Sequence, residues 1–219
     1  MHDRIPHSCA MTTAVLTFAL DGETPVLAAG RRYAEHAMVM SHQAFESQVG
    51  LPRLLELLAS FSLPATFFLV SQWIGSDVVP WWDRELGVRH PWMTWDQVRS
   101  LHRKGFDVGA HTRTHVDLGR ISEVEAREEI FSARLELQRQ LEAPVELFAY
   151  PYGGPNHLAE ANRDVVKAAG FRCCCSCFGG LNAAGTDPFH LRRVPVSSWY
   201  ASPHQFGLEL ALGMSVQSP

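Results

Sequence analysis

Two hydrophobic periods alternate along the chain. Short apolar runs bounded by turn residues read as buried strands: Ala14–Leu20, Ala65–Val70, Phe106–Ala110, Leu147–Tyr150, Phe171–Cys177 and Leu191–Val196, the last interrupted at Pro195. Between them lie helical stretches. Leu51–Phe61 has a proline in its first turn. Thr94–Lys104 begins at an N-cap threonine and ends before Gly105. Ser122–Leu141 opens with a capping box, Ser122-x-x-Glu125, and carries one apolar stripe: Ala126, Ile130, Ala133, Leu137 and Leu141. Pro144 stops it. His157–Ala169 ends at Gly170, and His204–Leu212 closes the chain.

Strands alternating with helices predict parallel β/α units and an α/β fold. Six or seven such units fit either a barrel or a compact doubly wound sheet, and both place their chemistry at the C-terminal strand ends. Residues 1–13 form an N-terminal extension and residues 14–219 one domain. Gly22–Gly50 and Ser71–Met93 read as long irregular connections, the kind that carry function. The second holds Trp73, Trp81, Trp82 and Trp92, four of the six tryptophans. Such rings suit stacking on a sugar face, or a subunit contact in a homo-oligomer.

Composition narrows the function classes. Of 219 residues, 46% are hydrophobic and 19% charged, which provides a full core and excludes a disordered chain. A net charge of −4 supplies no basic field for nucleic acid. No apolar run approaches the roughly 18 residues of a membrane span. The partners expected are therefore neither nucleic acid nor membrane. The N-terminal apolar stretch is short, lacks a cleavage site and runs into Asp21 and Glu23, so a cytoplasmic location is expected. Five cysteines are an awkward count for a disulfide framework. In a strand, Cys173, Cys175 and Cys177 face one side and Cys174 the other. They read as buried small hydrophobes ahead of a soft metal site.

His111-Thr-Arg-Thr-His115 is the strongest local signal. Two histidines four apart fall on one side of a helical turn, so both imidazoles can face one ion. The absence of an intervening glutamate excludes the HExxH protease motif. Asp21, at another strand end, is placed to complete a three-ligand set with open positions, as a catalytic zinc requires.

Four segments together resemble the polysaccharide deacetylase family, carbohydrate esterase family 4: LTFALDGE (16–23), PATFFLV (64–70), MTWDQVRSLHRKGFDVGAHTRTH (93–115) and FAYPYG (148–153). Residues 179–196 resemble the tail of one branch. The resemblance implies a distorted (β/α) barrel of about seven strands. It also implies a divalent metal, usually zinc, on Asp21, His111 and His115, and the backbone N–H of Tyr152 as an oxyanion donor.

The chain departs from the family at its base. Where members carry an aspartate, this sequence has Ala19, which accepts no proton. Strand parity puts residues 19 and 21 on one face. Either the base has been replaced and the chain silenced, or the alanine is native. A native alanine means that the chain binds without turnover or uses another base, and Glu23 and His190 are the groups on offer. The intact ligand set favours the silenced reading. Ala149 stands where many members have an arginine, and the aspartate–tryptophan motif is not evident near Cys173–Phe178.

Three substrate readings follow. The first is N-deacetylation of an acetylated sugar, with Trp81, Trp82, Trp92 and Pro151 in contact. The second is hydrolysis of a small amide or cyclic imide, as in the allantoinase-like branch that the stretch after Asp21 resembles. The third is metal-dependent carbohydrate binding without catalysis.

Overall fold

The structure, a computed structural model, describes residues 16–19, 51–87, 89, 91–158, 160–179 and 182–193. Asp21, Glu23, the N-terminal extension, the 22–50 connection, Pro195 and the expected helix at 204–212 lie outside the described residues. Six strands form one sheet: β1 (Leu16–Ala19), β2 (Ala65–Leu69), β3 (Asp107–Ala110), β4 (Leu147–Ala149), β5 (Cys173–Gly179) and β6 (Leu191–Arg193). They pair in sequence order and every pair is parallel. A doubly wound sheet reverses its order at a switch point. This sheet does not, so it is the wall of a distorted (β/α) barrel. Six strands stand among the described residues against the seven or so expected.

The helices are α1 (Leu51–Ser60), α2 (Trp81–Leu86), α3 (Trp95–Arg103), α4 (Glu123–Leu141) and α5 (Glu160–Ala168). Local signals placed most of their ends. Thr94 and Ser122 each form a full capping box, with Gln97 and Glu125 respectively. Gly105 and Gly170 follow α3 and α5 at φ 86°, a conformation that glycine adopts without a Cβ penalty. Two stretches differ from the sequence pattern. The helix expected from His157 begins only at Glu160, because Pro155–His157 winds into a 3-10 turn, with His157 N–H donating to Gly154 O at 3.0 Å. The connection Ser71–Met93 is not wholly irregular. It holds a 3-10 turn, Ser71–Trp73, and α2, which is too short to show a period.

Both faces of the sheet are covered, as a parallel sheet requires. Phe67, Leu69, Val108, Ala110, Phe148 and Cys174 belong to the large cluster that takes in the helices, and Phe68, Ala149 and Cys175 form a second cluster with Leu147 and Leu191. The strict alternation assigns the second set to the barrel interior. Gly109 makes room for it: a Cβ there would lie 2.4 Å from the Phe68 ring. The stripe on α4 anchors the outer layer, with Ala126, Ile130, Ala133 and Leu137 all fully buried. Ile130→Ala is expected to cost about 2–5 kcal/mol, read as a shifted urea midpoint. A change below about 0.5 kcal/mol would mean that α4 does not seat on the sheet as described.

The cysteines follow the strand reading. Cys174 and Cys175 are buried, Cys173 is half-buried, and the three thiols are free. The Cys177 side chain lies outside the described residues. Burial pushes the Cys174 thiol up to about 12, and its Sγ donates to Phe189 O at 3.0 Å. Cys174 should therefore resist native thiol reagents at pH 8 and label only on unfolding, as checked by mass spectrometry of the labelled peptide. Rapid native labelling would contradict the packing.

Candidate active site

The segment after β3 carries the histidine pair, and it is not a helix. Thr112 and His115 both take left-handed backbone at φ 62°, which no helical turn accommodates. The spacing of four therefore works through a loop, a correction to the helical reading. The rings still meet: the His111 and His115 centroids are 5.0 Å apart at 63°. Both residues are buried.

His111 follows β3 and reaches across to the end of β4. Its Nδ1 lies 2.8 Å from Ala149 O. A carbonyl only accepts, so Nδ1 is the protonated nitrogen, and in the neutral ring Nε2 bears the lone pair. Metal-ligating histidines are oriented by such a bond. Two buried imidazoles, one with its tautomer set, fit a borderline-soft divalent ion such as zinc. Among the described residues no group of three His, Cys, Asp or Glu side chains converges, and the third ligand that the sequence offers, Asp21, lies outside them.

The loop is held on several sides. Ser71 N–H donates to Thr112 O at 3.3 Å and Gln72 N–H to Arg113 O at 3.0 Å. His115 N–H donates to Thr112 Oγ1 at 2.9 Å. From α4, Glu129 accepts three bonds: Arg113 N–H at 3.0 Å, Thr114 N–H at 2.8 Å and Thr114 Oγ1–H at 2.7 Å.

Aromatic rings enclose His115. Trp73 lies at 5.2 Å, Trp82 at 5.4 Å and Tyr152 at 4.9 Å. Of the expected sugar contacts, Trp82 joins this group directly. Trp81 reaches it through Trp82, at 5.5 Å, with half its surface exposed. Trp92 packs on Trp73 at 4.6 Å, and its Nε1–H donates to Val78 O at 2.8 Å, which ties it to the tryptophan segment.

The PYG turn brings Tyr152 to the site. Pro151 is buried, and Gly153 N–H donates back to Pro151 O at 2.6 Å. Tyr152 between them sits at φ 61°. A three-residue turn with positive φ at its centre is rare and strained, and such strain gathers at functional sites. Tyr152 is 42% exposed. Ala19 closes β1 in register with Phe68. His190 stands on a 3-10 turn ahead of β6, hydrogen-bonded to Arg163, with Asp187 at 3.8 Å and Glu160 at 3.9 Å.

Trp73, one of the four tryptophans noted in the sequence, closes the 3-10 turn that follows β2. Three further functional candidates escaped the sequence reading. Glu129 acts across fifteen residues and left no local signal. His157 stacks on Tyr152 at 5.2 Å, and its Nδ1 lies 2.7 Å from Asp117 Oδ2, itself 3.1 Å from Arg120 Nε. Arg193 lies over the Phe68 ring at 5.6 Å, so the barrel interior carries a guanidinium on β6 where Ala149 on β4 provides none. A cavity of about 440 Å³ lies on the helix side of β5, lined by Tyr150, Cys174, Phe189 and His190 among others. It includes neither His111, His115 nor Tyr152.

Comparison with known proteins assigns the class. The polysaccharide deacetylase family model matches residues 44–174, more than half of the chain. The chain belongs to that family, whose chemistry is hydrolytic deacetylation. Solved structures agree in fold. A Streptococcus pyogenes deacetylase, PplD, in complex with acetate superposes with a TM-score of 0.62 at 17% identity, covering 90% of this chain and 69% of that one. IcaB from Ammonifex degensii gives 0.56 at 20% identity, covering 73% and 66%. A de-N-acetylase from Aggregatibacter actinomycetemcomitans gives 0.58 at 17% identity, covering 71% and 68%. None of the curated proteins compared with the chain matches it.

Proposed function

We propose that this chain is a metal-dependent amide hydrolase of the N-deacetylase kind, acting on an acetylated sugar, with its rate limited by alanine at the base position. The observation that carries the reading is the His111–His115 pair, its first ring pinned to Ala149 O and its second enclosed by Trp73, Trp82 and Tyr152. Asp21 completes the proposed ligand set. Together these three residues would hold a divalent ion such as zinc, which when bound would supply polarisation of the acetamide carbonyl and acidification of a water. The Tyr152 N–H is the proposed oxyanion donor, a role typically worth about 10²–10³ in rate. Trp81 and Tyr152, both exposed and each edge-on to Trp82, offer faces for a sugar ring. The neighbour described as a de-N-acetylase and the deacetylase described with bound acetate support the acetyl-transfer chemistry.

Ala19 supports a second reading, a metal-dependent carbohydrate-binding protein without turnover. The two are separated by acetate release. The zinc-loaded protein is incubated with N-acetylglucosamine oligomers and, in parallel, with cyclic imides. Slow, chelator-sensitive acetate release from the oligomers is expected. Imide opening in its place would move the substrate class to small amides. Oligomer binding with no release, even after Ala19→Asp, would leave the binding reading.

A further inference from the structure

We propose that Glu129 is the positioning residue of the metal site, acting through the loop that carries both histidines. This rests on the reading of His111 and His115 as metal ligands. The loop is conformationally expensive. Thr112 and His115 both hold φ 62°, a left-handed backbone that L-residues disfavour, with β-branched threonine among the least tolerant. Such a backbone persists only where its surroundings over-determine it.

One carboxylate supplies much of that determination. Glu129 Oε2 accepts the successive amides of Arg113 and Thr114, at 3.0 and 2.8 Å, and Oε1 accepts the Thr114 hydroxyl at 2.7 Å. Bonds to an ionised acceptor are roughly twice as strong as neutral ones. Three of them fall on the two residues immediately before His115. Glu129 is also well founded. It neighbours Ile130, which is fully buried, on the capped helix α4. Its position therefore registers α4 against the histidine loop.

Glu128, one residue earlier, provides the control. It reaches the same loop only through the Arg113 guanidinium, at 3.4 Å with Glu128 exposed and Arg113 partly so, and otherwise accepts from Ser132. An exposed pair of this kind contributes little. Replacing either glutamate by glutamine removes one negative charge, but only Glu129→Gln takes the charge from the clamp and so weakens each of its bonds.

The test is competition titration of zinc against a chromophoric chelator, with the metal-free melting temperature measured alongside. Glu129→Gln is expected to weaken zinc binding about 10–100-fold, the usual cost of losing an orienting partner outside the ligand set. Glu128→Gln should bind as the parent does. Thr114→Val removes only the hydroxyl bond to Oε1 and preserves the side-chain shape. It should weaken zinc binding by less than Glu129→Gln, and it gives the readout if Glu129→Gln fails to fold. Undiminished affinity in folded Glu129→Gln or, should that variant not fold, in Thr114→Val would overturn the proposal. An equal loss in Glu128→Gln would overturn it too, by reducing the effect to net charge. A parent chain that binds no zinc would instead remove the metal reading on which the proposal stands.

Discussion

Ala19→Asp is expected to raise kcat for deacetylation by about 10²–10⁴-fold, the range over which a positioned general base acts. The reasoning starts from the strand. Residue 19 closes β1 in register with Phe68 on β2, and Asp21, the proposed ligand, follows two residues later. A carboxylate at 19 would stand at the strand end nearest that ligand. On the proposed function, an alanine there would leave the attacking water without a proton acceptor, with the proposed ligands and oxyanion donor retained. The gain should therefore appear in kcat, with KM little changed, because a base acts in the transition state and not on ground-state binding. Steady-state kinetics of the zinc-loaded variant read both constants. A variant that binds zinc normally and is no faster than the parent would show that position 19 does not limit the rate.

His115→Ala carries the second large effect. It should weaken zinc binding by more than the roughly 10–100-fold that an orienting partner is worth, since it removes a ligand outright. The ring is buried against Trp73, Trp82 and Tyr152, so the metal-free chain should lose some stability yet remain folded. Zinc content after gel filtration, beside circular dichroism, separates the two. Retained stoichiometric zinc in a folded variant would remove His115 from the ligand set.

Local chemistry explains what could be read from the chain alone. The caps at Thr94 and Ser122, the α4 stripe and the alternating strands each depend on residues within a few positions of one another. Burial followed the expected faces there. The barrel needed one further fact, the unreversed strand order, which no local pattern contains. The histidine pair was legible as a pair but not as a conformation. A spacing of four suits a helix, whereas the chain uses two left-handed residues and outside support to reach a similar approach. That support comes from Ser71, Gln72 and Glu129, all distant in sequence. The same holds for His157, which meets Asp117 only because the loops after β3 and β4 adjoin. The Trp92 bond from Nε1–H to Val78 O likewise spans fourteen residues and left no local signal. No helix among the described residues is long and apolar enough to cross a membrane.

X-ray absorption at the zinc edge of the one-to-one complex decides whether a metal centre is built on His111 and His115. Zinc on the two histidines gives a first shell of nitrogen and oxygen only, with the outer-shell pattern of two imidazoles and distances near 2.0–2.2 Å. A sulfur shell near 2.3 Å would place the metal on cysteine instead and rule the histidine centre out.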